Sequence, residues 1–385
     1  MKQKYKRLGD YIRQVDVRNR DLAVDKLLGL SIAKQFIPSI ANTTGTDMRT
    51  YKIVRPRQFS YVPVTSRNGN KITIALYEGE SPCIISQAYI VFEVIDATKL
   101  LPEYLMMWFR RPDFDRYARF KSHGSAREVF EWEEMCEVII PVPPIEEQRK
   151  IVAEYQAIER RIENNRRLIA TLEEAAKAIY RKMFVEDIDP ENLPEGWRMG
   201  TIGEFGTVVT GKTPSSSCPE DFGNAIEFIT PSEFRGEEIF CAKSKRGLSS
   251  NGGSKLQSKL IPKYSIAVTC IGSDMGKVRI CPKECISNQQ INSIILSDRG
   301  KMPFLYFTLR NMKDYFQRIA LGSSTMPMLS KSEFENIHVL VPDAEIVVSF
   351  KKLVIPSIEF IMNTVSEIHL LQQIQHITLS RLIKQ

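Results

Sequence analysis

From Pro143-Pro144 onward the chain has no glycine until Gly196 and no further proline until Pro190. Within that stretch Ile151, Tyr155, Ile158, Ile162, Asn165, Ile169, Leu172, Ala176, Ile179 and Met183 recur at alternating intervals of four and three. That spacing places them in one stripe of a helix, a heptad seam, with Glu, Arg and Lys dominating the other positions. The polar member, Asn165, is of a type that fixes register in coiled coils at some cost in stability. At about 1.5 Å per residue the seam predicts a rod of roughly 50 Å. Pro143-Pro144 mark its start, and Asp187-Ile188-Asp189-Pro190 end it.

The tail repeats the pattern less cleanly. Val354, Ile358, Ile361, Val365 and Ile368 keep the alternation, then Gln372 and Gln375 weaken it before Thr378 and Leu382. Pro356 is expected to bend this second helix or to define its first turn. Neither rod is apolar all round, so each needs a cover for its stripe. The economical cover is the other rod, packed antiparallel; a partner protein or a second copy of the chain is the alternative.

Outside the rods the chain repeats itself. Cys83-Ile84-Ile85-Ser86-Gln87 returns as Cys285-Ile286-Ser287-Asn288-Gln289, Pro102-Glu103-Tyr104 as Pro303-Phe304-Leu305, and Gly124-Ser125-Ala126-Arg127 as Gly322-Ser323-Ser324-Thr325. An apolar strand ending in Pro closes each copy, at Val138 to Pro143 and at Ile337 to Pro342, and the offsets stay between 198 and 201. Solenoid units recur every ~20–50 residues, so this is a duplicated globular module and not a solenoid. Each copy mixes short strands with helices. Strands are expected at Tyr51–Val54, Lys71–Leu76 and Ala88–Val94, and matching ones at Ser265–Cys270, Gly276–Ile280 and Ile291–Leu296. Residues 103–119 and 304–319 read as helices. The expected fold is α+β: two similar globular domains separated by two long antiparallel coiled-coil helices, a pseudo-twofold internal repeat. The parts are residues 1–142, a spacer helix 143–186, a linker and second domain 187–342, and a C-terminal spacer helix 343–385.

Charge sharpens this picture. Residues 1–142 and 196–342 each carry a net +5, whereas 143–195 carry −3. Two basic domains joined by a mildly acidic rod point to two contacts with a polyanion, although +5 alone is ordinary for a soluble domain. Seven unevenly spaced cysteines suit reduced thiols in a cytoplasm. The basic N-terminus lacks the apolar core of a signal peptide, and no window approaches the ~18 apolar residues of a membrane span.

Several motifs tempt. Gly206-Thr207-Val208-Val209-Thr210-Gly211-Lys212-Thr213 fits the P-loop pattern, but Pro214 and a run of serines follow where a helix N-terminus must face the phosphates. Cys241, Cys270, Cys281 and Cys285 could suggest zinc; only the last two approach ligand spacing, and small buried strand residues are the simpler reading. No metal or catalytic cluster emerges. Candidate DNA contacts are Arg67, Lys71, Lys121 and Arg127 in the first copy, and Lys212, Lys245, Arg246, Lys277 and Arg279 in the second, because base and phosphate contacts call for such side chains on loops.

The segment Val142-Pro143-Pro144-Ile145-Glu146-Glu147-Gln148-Arg149-Lys150-Ile151 resembles the strand-to-helix junction of specificity subunits of type I restriction-modification enzymes. Leu193-Pro194-Glu195-Gly196-Trp197, Thr201-Ile202-Gly203-Glu204, Gly211-Lys212-Thr213-Pro214-Ser215 and Glu227 to Phe234 are similar to the motifs that follow it there. The resemblance covers essentially the whole chain. It implies a non-catalytic subunit whose two domains each read half of a bipartite DNA site. The paired helices would set the spacing and dock two modification (methyltransferase) subunits. S-adenosylmethionine would belong to those partners, with none in this chain, and translocating restriction subunits would join for cleavage. One departure stands out: Ala344-Glu345-Ile346-Val347-Val348 replaces Ile145-Glu146-Glu147-Gln148-Arg149, which puts in question equal docking at the two helices. The rival readings are a coiled-coil scaffold that does not bind DNA and a P-loop nucleotide-binding protein.

Overall fold

The computed structural model describes residues 5–40, 45–66, 68–124, 127–234, 236, 238–272, 275–321 and 328–382. The chain divides into two compact units, residues 1–164 with 368–385, and residues 165–367. The cuts fall midway along both long helices, so each half-helix belongs with the globular body it covers.

In the first unit the strands Ile12–Val15, Ile90–Val94, Phe59–Tyr61 and Ile74–Leu76 lie side by side in that order, all antiparallel. In the second unit Gly206–Thr210, Ile291–Leu296, Ile266–Thr269 and Val278–Ile280 do the same. The repeat read from scattered motifs is thus one sheet made twice. A smaller ladder accompanies each. Lys52–Val54 pairs antiparallel with Cys83–Ile85, and Leu27 adds a single parallel bridge to Ile84. Leu260–Ile261 pairs antiparallel with Cys285–Ser287, and Glu227–Ile229 pairs parallel with it. The Cys-Ser motif is therefore the central strand of this second ladder in both copies.

Aromatic packing holds a helix on each main sheet. Phe59 and Phe92 stack at 4.9 Å, and Phe109 from the helix Pro102–Phe109 meets Phe59 edge-on at 5.7 Å. Phe304, Leu305 and Phe307 of the helix Met302–Asn311 share a core with Val208, Ile266 and Ile294. Proline in the first turn suits both helix starts, since its missing N–H would have no intrahelical acceptor there.

The structure corrects several local readings. The stretch 103–119 is two helices, Pro102–Phe109 and Pro112–Phe120, because Pro112 cannot continue a helix and instead begins one. The stretch 304–319 likewise divides, into Met302–Asn311 and Lys313–Leu321. The strands expected from Lys71, Ala88 and Gly276 begin later, at Ile74, Ile90 and Val278. The partner of Ile266–Thr269 is Phe59–Tyr61; the Tyr51 segment corresponds to Leu260–Ile261.

The central helix spans Ile145–Phe184 and the C-terminal helix Ala344–Arg381. Every seam position from Ile151 to Met183 is buried or half-buried. The most enclosed residues also include Val152, Tyr180 and Phe184, which flank the seam. The stripe is wider than a coiled-coil seam because the helix covers a globular body as well as its twin. In the second unit Phe350 meets Tyr180 and Phe184, with ring centres 6.0 and 5.2 Å apart. In the first unit Val152 and Tyr155 share a core with Leu379 and Leu382. Opposite ends meet, so the helices run antiparallel. Pro356 lies inside the C-terminal helix on its exposed side.

One arginine–glutamate pair ties each domain to the central helix. Arg110 reaches Glu159 at 2.5 Å and Arg310 reaches Glu173 at 3.8 Å. Burial lifts both carboxyls above the usual range, with the facing guanidinium pulling the other way.

Gln148 explains the strand-to-helix motif. It is fully buried, accepts from the Leu101 amide at 2.9 Å, and donates to the Lys99 and Pro143 carbonyls at 2.8 Å each. Gln148→Val is expected to leave the Leu101 N–H unpaired in the interior, destabilising this junction by about 2 kcal/mol. Hydrogen exchange at the Leu101 amide should speed up accordingly, while amides of the second unit keep their wild-type rates.

Candidate nucleic-acid interface

The expected DNA contacts fall into three groups. Arg67 lies outside the described residues, as do Ser125, Ala126, Ser273 and Asp274, and all of Gly322 to Thr325. Lys71, Arg127, Lys212, Lys245 and Arg246 are exposed. The remainder are engaged with the protein to differing degrees. Lys121 is half-buried and ion-paired with Glu134 at 3.0 Å, and Lys277 is half-buried at the start of its strand.

Arg279 turns inward. It is 2% exposed, sits mid-strand between Val278 and Ile280, and donates to the carbonyls of Val278, Phe234 and Gly236 at 2.8, 3.3 and 2.6 Å. Its charge satisfies backbone acceptors inside the domain and is not presented to a ligand. Both faces of this strand are covered, so alternation with apolar neighbours did not mark an outward side.

The loop after Gly206–Thr210 answers the P-loop question. No helix follows; a short 3-10 turn at Pro219–Asp221 is the next element. The Gly211 amide donates to the Ile291 carbonyl and the Lys212 amide to the Ser287 carbonyl, so both are taken. A Cβ on Gly211 would come within 2.1 Å of the Ser287 carbonyl oxygen, which explains the glycine by close backbone approach. Thr213 closes the contact, its hydroxyl reaching Gln289 at 2.6 Å. The loop is therefore bound to the Cys-Ser-Gln motif, with the Lys212 side chain projecting outward.

Two clefts gather cations that sequence spacing did not bring together. In the second unit a cleft of about 690 Å³ is lined by Lys243, Lys245 and Lys283 with Glu227 and Glu284, and Lys283 binds Glu227 at 2.7 Å. Beside it Arg246 lies over the Phe222 ring, 3.3 Å from its centre, which holds the guanidinium in place. In the first unit a cleft of about 460 Å³ is lined by Lys26, Lys34, Tyr77, Glu78 and Arg110. Lys34 is 6% exposed and paired with Asp115 at 2.8 Å; desolvation lowers its pKa despite that partner. Lys26, Lys34 and Lys283 were not foreseen, because segments distant in sequence bring them into the clefts.

The cysteines behave as core residues. Cys281 shares a core with Cys241 and Cys285, and these neighbouring thiols together with burial push its own thiol well up. Among the described residues no cluster of His, Cys, Asp and Glu is arranged to hold a metal ion, and no helix is long and apolar enough to cross a membrane.

The family described as the type I restriction modification DNA specificity domain matches the chain twice, at residues 58–174 and 194–370. The chain belongs to this family. Each match runs from a recognition-domain sheet into the long helix behind it, the same unit that the fold repeats. The specificity subunit of the HindI type I restriction enzyme of Haemophilus influenzae is 25% identical, with 78% of this chain and 80% of that protein covered. The MjaIX specificity subunit of Methanocaldococcus jannaschii is 26% identical over 75% and 70%. The crystal structure of a type I restriction-modification S subunit from M. genitalium shares the fold, with a TM-score of 0.65 at 14% identity, covering 99% of this chain and 96% of that one. This is a type I specificity subunit with two DNA specificity domains.

The contrast between inward and outward cations can be measured. Arg279→Ala should cost about 3 kcal/mol, since three carbonyls lose a charged donor in the interior. Lys245→Ala should leave thermal stability unchanged, and a melting comparison of the two variants checks the assignment.

Proposed function

We propose that each recognition domain reads one half of a bipartite DNA site and that the chain performs no chemistry itself. The reading rests above all on one four-strand sheet order occurring in both units, each unit bearing exposed lysine and arginine outside its sheet. Lys71 and Arg127 in the first domain, with Lys212, Lys245 and Arg246 in the second, are exposed and meet phosphate or guanine. Arg67, Lys121 and Lys277 remain candidates beside them. The two long helices fix the spacing of the half-sites and dock two modification subunits, which bring S-adenosylmethionine and methylate adenine. Restriction subunits join that complex for cleavage, and the whole operates in the cytoplasm.

A helical surface left uncovered favours partner docking. In the first unit Leu370, Ile374 and Ile377 are 60%, 47% and 50% exposed, and their spacing of four and three puts them on one side of the C-terminal helix. Large apolar side chains grouped in this way mark a surface that a partner covers.

Binding to duplex DNA should weaken steeply with salt, because each neutralised phosphate contributes a slope of about −0.9 in the log–log plot. Lys212→Ala should lower that slope by about one unit without changing the preferred sequence. A salt-independent affinity would favour a scaffold that does not bind DNA, and loss of ATP binding in the variant would favour the nucleotide reading.

Lengthening the helices tests the spacer role. One extra heptad in both adds about 10 Å. Mapping methylated adenines in cells carrying that variant should reveal half-sites about three base pairs further apart, with the half-site sequences themselves unchanged.

A further inference from the structure

The two junctions between domain and helix are not equivalent. The strand-ending prolines Pro143 and Pro342 align them, so Gln148, Val152 and Ala153 of the first copy correspond to Val347, Lys351 and Lys352 of the second. The prolines Pro102 and Pro303 likewise align Leu100 with Lys301. In the first copy Gln148 fills the junction with three hydrogen bonds, and Leu100 and Val152 are buried beside it. In the second copy Val347 has no polar group to reach the preceding loop. A cleft of about 260 Å³ opens there, lined by Val347, Val348 and Ile355 together with Lys301, Lys351 and Lys352 and a single carboxylate, Asp298, which accepts from the Gly300 amide.

Its chemistry is specific. The floor is aliphatic, and Val348 remains 49% exposed at its edge. None of the three lysines forms an ion pair among the described residues; Lys301 lies over the Phe205 ring at 5.7 Å. Three lysines against one carboxylate, around an apolar floor, suit a protein segment carrying both carboxylates and an aliphatic anchor. A stretch of duplex has no aliphatic group to fill the floor.

We infer that this cleft anchors an acidic, apolar segment of one modification subunit, and that the first junction offers no counterpart. This deepens the docking role proposed above and rests on it. The two modification subunits are therefore held by different contacts, the one at the C-terminal helix more sensitive to salt.

The test uses the full chain with the modification subunit of its own complex, titrated and followed by native mass spectrometry. Wild type should reach two modification subunits per chain. Lys351→Glu combined with Lys352→Glu should weaken the second binding step at least tenfold, leaving one-to-one complexes where wild type holds two. Val347→Gln, which restores the first copy's side chain, should weaken the same step. The lysine variant changes only the surface, so it still tests the cleft if Val347→Gln folds poorly. Unchanged stoichiometry and midpoint in the lysine variant would overturn the inference while leaving the docking role intact. A drop in DNA affinity with a shallower salt slope would overturn it too, by making the lysines phosphate contacts. If wild type binds no modification subunit at all, the docking role fails first and the inference with it.

Discussion

Everything in this fold depends on covering the apolar stripes of two long helices. A helix that is apolar along one side cannot stand in water, and a twin helix covers only the narrow strip a coiled coil requires. Here the stripe is broader. Tyr180 and Phe184 stand beside the heptad positions and pack on Phe304, Phe307 and Phe350, so helix pair and recognition domain share one core. In the first unit Val152 and Tyr155 join Leu105, Met107, Leu379 and Leu382 in the same manner. The helices are therefore structural parts of the domains they leave. That is why the compact units divide each helix midway and not at its ends.

That constraint also decides what the sequence reveals. A period of three and four sustained from Ile151 to Met183 survives any local detail, so the central helix was legible along most of Ile145–Phe184. The duplication was legible because its landmarks are residues with narrow backbone roles: prolines that begin helices, and a Cys-Ser strand at the centre of a small ladder. The strands Ile12–Val15 and Phe59–Tyr61 carried no such signal. They have four and three residues, and Phe59-Ser60-Tyr61 is buried throughout, which erases the alternation that marks a half-exposed strand. Pro112 did announce its break, but the aromatic stripe running through both halves masked it.

The charge pattern was informative in sum and misleading in detail. Each globular copy carries +5, yet several of those cations are committed internally: Lys34 to Asp115, Lys121 to Glu134, Arg279 to three carbonyls. A net charge counts a buried guanidinium and a projecting one alike, and only the latter can meet a polyanion. The P-loop spelling fails for a related reason. Phosphate binding requires free amides at a helix N-terminus, and at Gly211 and Lys212 those amides already serve the neighbouring strand loop.

Duplication followed by divergence gives such a protein two kinds of freedom. Loops that face DNA can change without touching the sheet order, because the strands are held by the helix cores behind them. The junctions are a different matter, since Gln148 makes its contacts to backbone atoms and any side chain lacking an amide must give them up. The second copy has given them up, and the exchange is not a simple loss. Apolar Val347 lies in the core at 6% exposure, while lysines occupy positions where the first copy has Leu100, Val152 and Ala153. A position that had merely drifted would be expected to close over or to pair its new charges within the chain. Three lysines that form no ion pair among the described residues instead line an open aliphatic floor, against the single carboxylate of Asp298. An acidic partner seated there would pair those lysines, so the difference between the two junctions, already present in the chain, would be read as unequal docking in the proposed complex.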